Sequence, residues 1–137
     1  MTSVWLDTNV LVGFITRDSS AQSRRVLALM RRAERGEVNL RLASIVVAEA
    51  VWVLGSVYAF DRDQIAEALR AFIMADGVSA EDSDIVADAL RLMQDQNVAY
   101  VDAHLAALAR SRREPIASFD TGFRRLGVEL YALSSHA

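Results

Sequence analysis

Apolar positions along the chain fall into two kinds of run. The short ones are "SVWL" at 3–6, "NLRLA" at 39–43, "IASF" at 116–119 and "GVELYAL" at 127–133, and each is bounded by polar or turn-forming residues. Their length predicts strands. The longer runs repeat with helical spacing. "TNVLVGFIT" at 8–16 follows the first strand, and "SAQSRRVLALMRRAERG" at 20–36 sets Val26, Leu27, Met30 and Ala33 among arginines, with Gly36 as the expected C-cap. "SIVVAEAVWVLGSVYAF" at 44–60 predicts a long helix capped by Ser44. "DRDQIAEALRAFIMA", "DSDIVADALRLMQDQ" and "VDAHLAALARSRR" complete the set, the first two opening on aspartates that suit the positive end of a helix dipole.

Strands alternating with helices predict an α/β fold with a parallel or mostly parallel sheet flanked by helices. Such sheets bind ligands beyond the carboxyl ends of their strands. No repeat or linker-like stretch interrupts the 137 residues, so a single domain over 1–137 is expected.

The acids sort by the face each one occupies. Asp84, Asp88, Arg91 and Asp95 line one side of their predicted helix, which makes Asp88 a surface residue. Glu49 has Ile45, Trp52 and Val53 at i−4, i+3 and i+4, so its face is read as the core face, where a carboxylate needs a cation. Asp7 ends the strand "SVWL", Asp120 ends "IASF", and Asp102 begins the helix "DAHLAALA". Singly, each aspartate is explained as an N-cap or turn former. Jointly, two strand ends, a helix start and a mid-helix glutamate can meet in the crevice of an α/β sheet, where they repel one another unless a divalent cation holds them.

Composition narrows the ligand chemistry. With no cysteine and only two histidines, oxygen donors are what remain, and an all-oxygen site suits Mg2+ or Mn2+. A net charge of −3 conceals an imbalance: all 15 basic residues are arginine. The missing lysine argues against a Mg2+-dependent aspartyl phosphotransfer domain, which uses one to hold the phosphoryl group. No run is long enough to span a membrane and no secretory signal opens the chain, so a cytoplasmic protein is expected.

The segments "WLDTNVLV", "VVAEAVWVL", "YVDAHLAALA" and "IASFDTGFRRLGV" resemble the PIN domain, and within it the VapC-like toxins of bacterial toxin–antitoxin pairs. The resemblance implies a three-layer α/β/α fold with a central, mostly parallel sheet. It also implies that Asp7, Glu49, Asp102 and Asp120 are the catalytic, metal-holding acids, supported by Thr8, Asn9 and Ser118. One departure is visible, because many relatives carry a further acid where this chain has Gly122.

The activity implied is metal-dependent hydrolysis of RNA by one or two Mg2+ or Mn2+ ions. An activated water as nucleophile leaves 5′-phosphate and 3′-hydroxyl ends. Arg112, Arg113, Arg124 and Arg125 follow site elements closely and are the candidate phosphate contacts. The family further implies a homodimer and a cognate antitoxin that lays an apolar segment into a groove. Trp52, Val53, Val57, Tyr58 and Phe60 are read as core in preference to such a groove, and His104 as structural. The rival reading is an RNA- or protein-binding module of the same fold without catalysis.

Overall fold

Strand β2 (Val38–Leu42) alternates as the sequence pattern demands: Val38, Leu40 and Leu42 are buried and Arg41 is exposed. It lies at the centre of a three-stranded parallel sheet in the order β1-β2-β3, with β1 at Thr2–Trp5 and β3 at Val78–Ala80. Val4 pairs with Leu40, and Leu40 with Val78. The computed structural model describes residues 1–17 and 20–136.

Residues Met1–Ser83 form one compact unit and those from Asp84 onward a second. The first holds the sheet with helices α1 (Thr8–Thr16), α2 (Ala21–Glu34), α3 (Ser44–Ser56) and α4 (Arg62–Ile73). Leu11, Leu40, Leu42, Val47, Leu54 and Leu69 are fully buried here, and Phe14 meets Phe72 edge to face at 5.2 Å. The second unit holds α5 (Ser83–Gln96, beginning at the boundary residue), α6 (Tyr100–Arg112) and a 3-10 helix (Thr121–Leu126) packed on α6.

Local chemistry explains most of the helix ends. Ser20 and Asp61 cap α2 and α4, and Asp61 forms a reciprocal capping box with Gln64. At the end of α2 the C-cap is Arg35, one residue before the expected Gly36, which follows at φ +75°. Ser44 is not the cap of α3; Ala43 is, without a side-chain bond. Glu81 does the capping from the loop after β3, accepting the Ser44 N–H and hydroxyl on Oε1, both at 3.0 Å. These two donors hold its carboxyl below the usual glutamate range. At its other end α3 stops at Ser56 instead of continuing to residue 60, because the chain turns left-handed at Ala59 (φ 56°) and Phe60 N–H returns to the Leu54 carbonyl.

The strands depart from the sequence pattern in three places. Strand β1 is an exposed edge, and only Leu6 beyond its end is buried. Strand β3 was invisible in the pattern, since three residues reading "VSA" carry no periodicity. "IASF" and "GVELYAL" form no strands; a single parallel bridge joins Ile116 to Leu130, with Ile116 N–H on the Glu129 carbonyl and Tyr131 N–H on the Ile116 carbonyl. Pro115 has no donor to extend that ladder backwards, and Ser118 Oγ captures the Asp120 N–H at 2.9 Å, bending the chain on the other side.

Gly77 is the tightest point of the first unit. At φ +81° a Cβ there would lie 2.6 Å from the Ala33 carbonyl oxygen, so β3 begins where only glycine fits against α2. Among the described residues no helix is long and apolar enough to cross a membrane.

Candidate active site

Each unit carries one pair of the acids on two elements that pack together. In the first, Asp7 follows β1 and caps α1, its Oδ1 accepting the Thr8 N–H at 2.9 Å. Thr8 is buried behind it, and Asn9 is exposed on the next position of the helix. Helix α3, which packs on α1, carries Glu49.

Glu49 does not share its face with the core. It is exposed, and so are Ile45 (76%) and Trp52 (66%), its neighbours a turn away. The buried side of α3 is Val47, Ala50 and Leu54. Val57 and Tyr58 are exposed too, which corrects the reading of this stripe as core.

In the second unit, Asp102 is half-buried in the first turn of α6, which starts at Tyr100 with Ala99 as its N-cap; the aspartate is therefore inside the helix and not its cap. Asp120 caps the 3-10 helix that packs on α6. Its Oδ1 accepts the Gly122 N–H at 2.8 Å, and its own N–H is held by Ser118. A Cβ at position 122 would stand 3.0 Å from that Oδ1, so glycine here gives the Asp120 carboxylate its room. His104 keeps its structural reading, since its Nδ1 lies 3.1 Å from the hydroxyl of Tyr100, whose burial pushes the phenol up and keeps it protonated.

The donor chemistry fits a hard divalent cation. All four groups are carboxylates, and none has an arginine partner among the described residues. Asp7 and Asp120 each commit Oδ1 to a backbone N–H, a fixed position that leaves Oδ2 available. Among the described residues no three acids or histidines are grouped so as to hold a metal ion, so the convergence of the four acids expected from the sequence is not seen; each unit carries two of them on elements in contact.

The PIN domain family profile matches residues 4–129, running through both units. The chain belongs to the PIN domain family. PIN domains are typically nucleases and generally use divalent metal ions. No curated protein matches the chain.

The arginines of this PIN domain take different roles. Arg112, Arg113, Arg124 and Arg125 are exposed, the last two on the outward side of the 3-10 helix whose Phe123 and Leu126 are buried. Arg110 and Arg91 instead hold Asp88, which keeps only 21% of its side chain exposed. Asp88 is thus half-buried and paired, not the plain surface residue that the helical wheel predicts.

Two features went unread in the sequence. A cleft of about 740 Å³ is lined by Val10 and Gly13 of α1, Ser23 and Arg25 of α2, and Val53 at the end of α3 with Tyr58 beyond it. The Ser23 hydroxyl lies buried there, with no hydrogen-bond partner among the described residues. The second is Phe119, 97% exposed immediately before Asp120. The α3 side of the cleft, Val53, Val57 and Tyr58, belongs to the stripe read from the sequence as core in preference to a groove, whereas its walls on α1 and α2 and the exposure of Phe119 had no sequence signal.

Proposed function

We propose that this PIN domain is a Mg2+- or Mn2+-dependent endoribonuclease and the toxin of a toxin–antitoxin pair. The observation that carries the reading is the family match over residues 4–129. Asp7, Glu49, Asp102 and Asp120, which the resemblance assigns to the site, have no arginine partner among the described residues, a property they share with most acids of the chain. Unneutralised carboxylates in an arginine-rich chain are what a cation site requires before the cation binds.

In this reading Asp7, Glu49, Asp102 and Asp120 are the groups that would hold the one or two ions. When bound, the metal supplies an activated water and offsets charge developing on the phosphoryl oxygens. The chain does the positioning. Thr8 N–H fixes Asp7, Ser118 and Gly122 fix Asp120, and Asp102 or Asp120 accepts the proton of the attacking water. Because water and not the 2′-hydroxyl attacks, the products carry 5′-phosphate and 3′-hydroxyl ends. Arg112, Arg113, Arg124 and Arg125 contact the RNA phosphates.

The partners follow from exposed surface. The cleft between α1, α2 and α3, with Arg25 on its wall, suits an apolar antitoxin segment bearing acidic residues. Ile45 and Trp52 on α3 offer apolar area to a second copy in a homodimer. The site of action is the cytoplasm.

Cleavage of an end-labelled structured RNA, with and without Mg2+ or Mn2+, tests the reading, with Asp7→Asn as control. Metal-dependent cuts that vanish in the variant and leave 5′-phosphate ends support it. RNA retained without cleavage under any ion would turn it into the binding module, and acyl-phosphate labelling of Asp7 into the phosphotransfer domain.

A further inference from the structure

Phe119 is the most exposed large apolar side chain in the protein, at 97%. The flanking apolar residues behave differently: Ile116 and Phe123 are 5% and 6% exposed and anchor the segment on either side. Between them the backbone is tied at two points, Asp120 N–H to Ser118 Oγ at 2.9 Å and Gly122 N–H to Asp120 Oδ1 at 2.8 Å. The ring therefore stands in water on an ordered turn, where a flexible segment would have let it fold back onto apolar surface.

Its surroundings indicate the kind of partner. From Ala117 to Arg125 no other large apolar side chain is exposed; the next ones along the chain, Tyr131 and Leu133, lie beyond the Ile116–Leu130 bridge. The same short segment carries a carboxylate, Asp120, and two exposed guanidinium groups, Arg124 and Arg125, which have no carboxylate partner among the described residues. An exposed flat ring within a few residues of two such arginines suits single-stranded nucleic acid, whose bases stack on aromatic faces while its phosphates meet guanidinium groups.

We propose that Phe119 stacks on an unpaired nucleobase of the RNA, adjacent to the phosphate presented to Asp120, with Arg124 and Arg125 taking the neighbouring phosphates. The inference rests on the nuclease reading and deepens it, because it makes an unpaired nucleotide at the cut a requirement. A base already stacked inside a duplex has no free face for the ring.

The test uses the full-length chain in the Asp7→Asn background and a short single-stranded oligoribonucleotide carrying one 2-aminopurine, whose fluorescence falls when it stacks. Binding to the parent should quench the probe. Phe119→Leu, which keeps apolar bulk without the ring, should abolish the quenching and weaken binding about ten-fold. Phe119→Trp should restore both, and the same sequence as a duplex should not distinguish the proteins. Since Phe119 makes no core contact, all of these variants should keep the parent's thermal midpoint.

Cleavage by the chain with Asp7 intact separates the two readings. Metal-dependent cleavage with equal quenching and affinity in Phe119→Leu would overturn the stacking role and leave the nuclease standing. Absent cleavage with Phe119-dependent quenching would uphold stacking and overturn the nuclease. No binding of the oligonucleotide by the parent, or a Phe119→Leu effect seen only on association with a protein partner, would overturn the proposal.

Discussion

Glu49 on α3 and Asp88 on α5 are each an acid within an apolar run, and they finish in opposite surroundings. Glu49 is exposed beside the exposed Ile45 and Trp52, without an arginine partner. Asp88 is half-buried between Arg91 of its own helix and Arg110 of α6, the latter at 3.8 Å. Helical spacing alone suggests the reverse. Helix α5 has one apolar stripe, yet its polar edge is covered by a guanidinium group from the next helix. Helix α3 is apolar on nearly every side, so spacing cannot say which side packs. A carboxylate held by arginines is part of the fold, and one left unpaired on an apolar helix is available for other work.

The largest expected effect lies at Glu49. Glu49→Gln should lower metal-dependent cleavage at least about a hundred-fold, as loss of a metal-holding group does, while the thermal midpoint stays put. A midpoint lowered by several degrees would return Glu49 to the fold and break the contrast. Beneath the two acids the helices should respond alike, because Leu54 and Leu90 are both fully buried. Leu54→Ala and Leu90→Ala should each cost about 3 kcal/mol in urea denaturation. If Leu54→Ala costs under about 1 kcal/mol, the packed side of α3 is not the one described.

Asp88→Asn should destabilise by no more than about 1 kcal/mol, less in high salt, and leave cleavage intact, since its arginine partners are 56% and 40% exposed. Lost cleavage would place Asp88 in the site and erase the distinction. The smallest effect concerns the cap of α3. Glu81 has its folded pKa held down by Ser44, so its contribution is present above the ordinary glutamate range and is lost as pH falls through the lowered value. Glu81→Gln should lower stability slightly in the neutral region and converge with the parent at low pH, which flattens the acid limb of a stability–pH profile.

Helices were the legible part of this sequence. The span 8–16 was read to the residue, and Asp61 announced the start of α4. Strands were less so: β2 declares itself by alternation, β3 is too short to have a period, and the 116–119 run resembles a strand until Ser118 bends it. At the site, Asp7 and Asp120 were legible because an acid ending an apolar run and starting a helix is a local pattern. Glu49 was picked out by an argument about burial that its exposure overturns, so its candidacy is a proposal that rests on the resemblance of "VVAEAVWVL" to the family. The cleft beside α2 and the exposure of Phe119 arise from packing between distant residues, which no window of sequence contains.

Gly77 extends these contrasts to genetics. If the protein poisons the cell that makes it, a selection for survivors samples every way of losing the activity. Missense changes at Asp7 or Glu49 should yield survivors that still accumulate folded, inert protein. At Gly77, where any Cβ meets the Ala33 backbone, every missense change should yield survivors with little folded protein at all. Immunoblots of the survivors would therefore separate lesions of chemistry from lesions of architecture, with no nuclease assay required.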